Sequence, residues 1–347
     1  MANQTGKQRF RFFAAAMLLL LLFGGIYYWQ AVGADMSNPH ANFWRVVRQG
    51  IPGFTTVTSE GHKVLILNSG ENWREIRNGI LIRGSQWVII LAILAMALFY
   101  AFVGKDRLEK PRSGVKIERY TLWERILHWY TALLFVTMAL TGLSMLLGRV
   151  LLIPIFGHWA IAGFLQTTKI LHNYCGPLLL VGILLEIFIW FRFNIPHQGD
   201  LTWFKTLGGM FGSGPRPHSG RVNGGEKGWF WLVLIFGLAS GITGIIMDFP
   251  IWGQTRLTME VSHIIHASVA VLFVTAAFGH IYIGTIGAEG TFEGMWTGSV
   301  DAVWAKQHND LWYAEKMPAK GENPKRREGR NLQLEEFRIQ NHKKTPS

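Results

Sequence analysis

Four histidines stand inside or at the edges of long apolar runs: His128, His172, His266 and His280. An imidazole in a hydrocarbon setting is costly, so each marks a candidate functional position. His266 and His280 are 14 residues apart, which in an α-helix is about 1,400° of rotation, close to four whole turns. Both rings therefore share one helix face, roughly 21 Å apart along the axis. That arrangement suits two stacked haems, each taking one imidazole from this helix and one from another. Two axial imidazoles fill the coordination of an iron and favour electron transfer over oxygen binding.

The elements that must position these rings are spans of about 20 apolar residues, the length a bilayer core requires. Four such spans cover approximately 127–147, 170–193, 228–248 and 261–286. A further one runs from Trp87 to Val103, and Phe12 to Trp29 is either the core of a signal peptide cleaved after Ala34 or a first span. Short loops rich in Lys and Arg face the cytoplasm. The connection 104–126 holds seven and the chain after 286 holds ten, against two in 149–169 and one in 249–260. So 104–126, 194–227 and the C-terminus read as cytoplasmic, and 35–86 as an outer segment whose 54–57 and 63–67 runs suggest a small β-hairpin. Travel along the spans then puts His172 and His266 at outer depth, and His128 and His280 at inner depth. The natural pairs are His172 with His266 and His128 with His280. His263, one turn before His266, could replace it.

A single membrane histidine is often only hydrogen-bonded to a neighbouring helix, but four at matched depths are harder to explain so. A histidine-containing transporter is a different reading; it would usually carry broken helices or several intramembrane carboxylates. Zinc is disfavoured because the two pairs lie too far apart to make one four-ligand site. Of 347 residues 49% are hydrophobic and 16% charged, too few charges to cover a water-soluble surface. The net charge of +12 is therefore read as cytoplasmic loops and tail, not as a nucleic-acid surface. The single Cys, Cys175, excludes an internal disulfide framework, a thiolate iron–sulfur cluster and a covalently attached C-x-x-C-H haem. Gly176 and Gly279 could let a porphyrin edge approach the backbone. The remaining histidines, including His158, His197, His218 and His308, fall in loops or tails where solvation is the default.

Arg125-Ile126-Leu127-His128-Trp129, Ile170-Leu171-His172, Asn223-Gly224-Gly225-Glu226-Lys227, Ile265-His266 with His280, and Trp304-Ala305-Lys306-Gln307-His308 before Trp312-Tyr313 resemble the cytochrome b (gamma) subunit of respiratory formate dehydrogenase. The resemblance covers about residues 116–316; residues 1–110 lie outside the shorter members' pattern. It implies an all-α integral membrane four-helix dihaem bundle over 105–290. Around it lie a signal or span (1–34), a periplasmic segment (35–86), one further span (87–104) and a basic cytoplasmic tail (291–347). It also implies an inner-membrane subunit carrying two b-type haems on His128, His172, His266 and His280. The implied partners are a catalytic alpha subunit and an iron–sulfur beta subunit, with a trimer of heterotrimers as a higher assembly. Electrons would pass from the outer haem to the inner one and on to a quinone, menaquinone or ubiquinone, on the cytoplasmic side. Formate oxidation would lie in the partner. A hydrogenase cytochrome b shares the histidine spacing and is the alternative within this class.

Quinone reduction needs hydrogen-bonding groups near the inner pair. Asn223, Gly224 and Gly225 match the family's Asn-x-Gly stretch, with His280 lining the same pocket; Asn-Gly-Gly before a helix is equally an ordinary N-cap. Lys227 could serve a quinone, a haem propionate or a lipid phosphate. Glu186, 14 residues after His172, departs from the family pattern, where an apolar residue is usual. Its carboxyl could be neutral, paired with Arg192, or a proton donor to quinone reduction.

Overall fold

Runs of Leu, Ile, Val, Phe and Ala without breakers favour long helices, and hydrocarbon surroundings leave no other way to satisfy the backbone. The computed structural model describes residues 68–210 and 216–317. Within them, α1 (Asn68–Glu75) passes through a π-helical stretch, Ile76–Leu81, into α2 (Ile82–Phe102). Then come β1 (Lys116–Glu118), α3 (Leu122–Leu151), α4 (Ile153–Trp190), α5 (Gln198–Thr206), α6 (Gly224–Asp248) and α7 (Arg256–Tyr282). The described residues end with α8 (Thr291–Thr297), β2 (Ser299–Asp301), α9 (Ala302–His308) and α10 (Asp310–Lys316). Among the described residues five helical stretches are long and apolar enough to cross a membrane: Asn72–Phe102, Leu122–Leu151, Ile153–Phe193, Gly224–Asp248 and Arg256–Gly287. Phe188 is 84% exposed and Leu133 70%, the kind of apolar surface that only lipid or a partner can cover.

The chain divides into two compact units. Among the described residues, one comprises 68–102 with Ala132–Val181 and Ile235–Gly279. Its core joins Leu81 and Ile82 of the N-terminal helix to Leu146 and Leu147 of α3 and Val271 of α7. Phe135 and Phe273 meet edge to face at 4.7 Å. Gly157, at φ 77°, breaks α4 near its start, a conformation other residues resist. Pro177 sits inside the same helix, where it removes a backbone N–H.

The other comprises the described residues within Val103–Thr131, Gly182–Leu234 and 280–317. β1 pairs antiparallel with β2, Ile117 opposite Val300. Ile117, Val300, Trp304, Ala305 and Trp312 form its buried core. Asp301 caps α9 by accepting from Val303 N at 2.9 Å. Buried Arg119 pairs with Glu226 at 2.8 Å and lies 4.6 Å over the Trp304 ring. Asp106 accepts from Arg216 Nη2 at 2.6 Å and lies 3.2 Å from His308 Nε2. Burial pushes the Asp106 carboxyl up, but its hydrogen bonds to His308 and Arg216 outweigh that and hold it at about 2.

Several boundaries differ from the sequence reading. The helix ending at Phe102 is already helical at Asn68, the first described residue and well before Trp87, because these turns are too polar to register in an apolar-run criterion. Most of 149–169 is helical, and 194–227 contains α5. The stretch 291–316 is folded rather than part of a tail, held by strand pairing and tryptophan burial that a polar composition hides. His308 and His197 hold structural hydrogen bonds: His197 caps α5, accepting from Gly199 N at 3.1 Å. The proposed signal or span at 1–34, the hairpin runs at 54–57 and 63–67, and the chain after 317 lie outside the described residues.

Candidate haem and quinone sites

In the first unit, α4 carries His172 and α7 carries His266, with ring centroids 6.1 Å apart at 77°. His172 Nδ1 lies 2.8 Å from Thr141 Oγ1. That hydroxyl also lies 2.7 Å from Thr137 O, which can only accept, so its single hydrogen goes there. Nδ1–H of His172 is then the donor to Thr141, which leaves Nε2 as the lone-pair nitrogen. His266 follows the same logic more directly: its Nδ1 lies 2.9 Å from Ser240 O, an obligatory acceptor, and 3.3 Å from Thr243 Oγ1. Orienting an imidazole through its second nitrogen is how ligating histidines are held. Beside each ring stands a glycine. A Cβ on Gly142 would sit 3.1 Å from His172 Cε1, and one on Gly244 3.3 Å from His266 Cε1.

In the second unit, His128 on α3 and His280 on α7 have ring centroids 6.3 Å apart at 51°. Trp229 of α6 stacks on His280 at 4.3 Å and 12°. His128 Nδ1 is buried with no hydrogen-bond partner. A metal-bound imidazole nitrogen sits at about 2 Å, so two rings on opposite sides of one metal have centroids about 6 Å apart. Both pairs meet that spacing, and His172 and His266 present their Nε2 atoms by elimination; each pair of imidazoles would hold a haem iron between its two rings. His263, the alternative to His266, instead meets Trp73 edge-on at 5.4 Å.

Glu186 is joined by a short hydrogen bond to Thr131, not to Arg192, whose guanidinium lies 4.5 Å over Phe193. Thr131 Oγ1 is also 3.0 Å from Leu127 O and 3.0 Å from His128 O. One hydroxyl hydrogen cannot serve a carboxylate and these carbonyls together. Thr131 Oγ1 donates to the Glu186 carboxyl, and the two carbonyls keep their own helix hydrogen bonds.

Asn223 caps α6, its Oδ1 accepting from Glu226 N at 3.0 Å while Asn223 N donates to Glu226 Oε2 at 3.0 Å, a capping box. A Cβ on Gly224 would meet Trp203 Cβ at 2.7 Å, and Gly225 is likewise pressed against the Trp203 ring. Lys227 is buried and bonded to Asp200 at 3.1 Å. Local structure thus accounts for much of the Asn-Gly-Gly-Glu-Lys stretch. Of the two glycines named for close approach, Gly176 faces Met138 and Gly279 has no side-chain neighbour within 4 Å. The residues that sequence reasoning missed are Thr141-Gly142 and Thr243-Gly244; a Thr-Gly pair recurring midway along two spans was the available signal.

Long apolar helices that bring imidazoles together in twos define an all-α membrane cytochrome b. A family model described as Prokaryotic cytochrome b561 matches residues 119–298. The chain is 30% identical over 203 residues to the "Formate dehydrogenase, cytochrome b556(fdo) subunit" of Escherichia coli (strain K12), covering 57% of this chain and 92% of that one. It is 26% identical over 215 residues to the "Formate dehydrogenase, nitrate-inducible, cytochrome b556(Fdn) subunit" of the same organism, covering 60% and 95%. The chain belongs to the prokaryotic cytochrome b561 family, and its relatives there are formate dehydrogenase cytochrome b subunits. It is a multi-pass membrane electron-transfer protein of the b-haem kind.

Proposed function

We propose that this chain is the quinone-reducing membrane subunit of a formate dehydrogenase, set in a bacterial inner membrane with its C-terminus cytoplasmic. Two b haems supply reversible one-electron chemistry, linking a periplasmic iron–sulfur subunit to a quinone on the cytoplasmic side. The catalytic subunit that oxidises formate is a separate chain. Residues 105–290 form the dihaem core. His172 and His266 hold the outer haem, with Thr141 and Ser240 fixing each ring through Nδ1. His128 and His280 hold the inner one, with Trp229 steadying His280. Asn223, Gly224, Gly225 and His280 line the quinone site; Oδ1 of Asn223 serves the helix cap, and its amide group is the donor offered to a quinone oxygen. Glu186, linked through Thr131 to the His128 backbone, supplies protons to the reduced quinone; the support for this role is that hydrogen-bonded link.

The observation that carries this reading is the pair of imidazole couples at 6.1 and 6.3 Å sharing one helix, α7. The test is haem stoichiometry and co-purification. Two b haems per chain, co-purifying with an iron–sulfur protein and a formate-oxidising protein, are expected. His172→Ala should lose one haem and keep the other. A haem-free chain, or loss of both haems in that variant while the protein stays folded, overturns the assignment.

A further inference from the structure

The stretch from α1 to α2 brings an unpartnered polar group against α7. Among the described residues Trp73 Nε1 and His263 Nδ1 are both buried without a hydrogen-bond partner, and their rings meet at 5.4 Å. An indole N–H can only donate, and leaving it buried and unpaired costs about 1–3 kcal/mol. Arg77 places its guanidinium 5.9 Å over the Trp73 ring, and its one side-chain hydrogen bond runs to the adjacent Asn78. Its electrostatic neighbours are Arg149 and His263. Among the described residues neither arginine has a carboxylate partner. Arg77 also lies in the π-helical stretch Ile76–Leu81, a geometry frequent at functional positions. Leu81 and Ile82 pack the same segment onto α3 and α7, so its place is fixed by burial.

Two cations, an indole N–H and an imidazole gathered without an acceptor describe an anion site. We propose that Arg77, Trp73, His263 and Arg149 bind a carboxylate of the outer haem, so that the N-terminal helix completes that haem's surroundings. The ligand class follows from position: His263 precedes His266 by one turn on α7, and residues three apart on a helix are surface neighbours. A b-type haem carries two propionate carboxylates at its rim, and these need counter-charge when taken out of water. A lipid phosphate is the other source of an anion at such a place. The inference rests on the dihaem reading above.

The experiment is an optical redox titration of the full complex, with His172→Ala used to assign the outer haem's spectrum. A nearby cation stabilises the reduced haem, so Arg77→Gln should lower the outer haem's reduction equilibrium constant about 10-fold, roughly 59 mV for one electron, and leave the inner haem unmoved. Arg77→Lys should restore most of it. Trp73→Phe, which keeps the ring and deletes only the donor, should shift the same haem by about 3-fold; it carries the test if Arg77→Gln does not assemble. Two haems present with both potentials unchanged in these variants overturns the proposal. Loss of bound phospholipid phosphorus at unchanged potentials does so too, by assigning the site to lipid. Fewer than two haems in the wild-type chain would instead sink the dihaem reading itself.

Discussion

Thr141→Val isolates the support of one ligand at nearly constant volume. In the native protein His172 Nδ1 lies 2.8 Å from the Thr141 hydroxyl, whose own hydrogen is committed to Thr137 O. Valine offers no acceptor, so a buried N–H loses its partner at a cost of about 1–3 kcal/mol. Loss of an outer-shell partner typically weakens metal binding by about 10–100-fold, the same range. Thr243→Val is the matched control. His266 keeps its 2.9 Å bond to Ser240 O and gives up only the longer 3.3 Å contact, so the effect should stay below about 3-fold. The assay is the rate at which each haem passes to an excess of haem-scavenging globin, followed at wavelengths that separate the two. The outer haem should leave about 10–100-fold faster in Thr141→Val and the inner haem at its native rate. Equal acceleration of both haems, no acceleration, or an equally severe Thr243→Val would refute the reasoning.

Gly142→Ala puts a methyl 3.1 Å from His172 Cε1 and Gly244→Ala one 3.3 Å from His266 Cε1. Both should deplete the outer haem while the inner one stays at full occupancy in a haemochrome count, Gly142→Ala more strongly. Glu186→Gln should slow quinone reduction and flatten its pH dependence; a rate unchanged across pH would remove Glu186 from the proton path. Asp106, held at about 2 against an ordinary 3.8, contributes about 2 kcal/mol that is present above pH 4 and lost as pH falls through 2. Asp106→Asn should therefore lower the thermal midpoint at neutral pH, and the gap to wild type should close as pH falls from 4 towards 2.

That the four histidines meet in twos was legible because the 14-residue spacing puts His266 and His280 on one helix face, and the order of the spans sets which ring each one meets. Their supports were not, since a threonine in a span usually bonds back to its own helix, as Thr137 and Thr275 do here. Nothing local marks Thr141 as facing a ring 31 positions away. Glu186 stood out by its charge, yet the sequence offered Arg192 where the folded chain supplies Thr131, because the partner comes from another helix. The folded segment 291–316 escaped for a related reason. Strands of three residues and helices of seven carry little periodicity, and their stability comes from Trp304 and Trp312 being buried after the chain returns to β1.

That return has an architectural consequence. The β ladder joins Glu118 to Ser299, the residues that flank the matched stretch 119–298 on either side. Entry and exit of this matched module are thus stitched together within one strand spacing, about 4.8 Å. A module closed at its own threshold can accept new sequence before or after it without reopening what lies between. The same stitch makes it a cassette whose ends could be rejoined by a short linker and the chain recut elsewhere. Appended helices and tails are then additions at a door already shut.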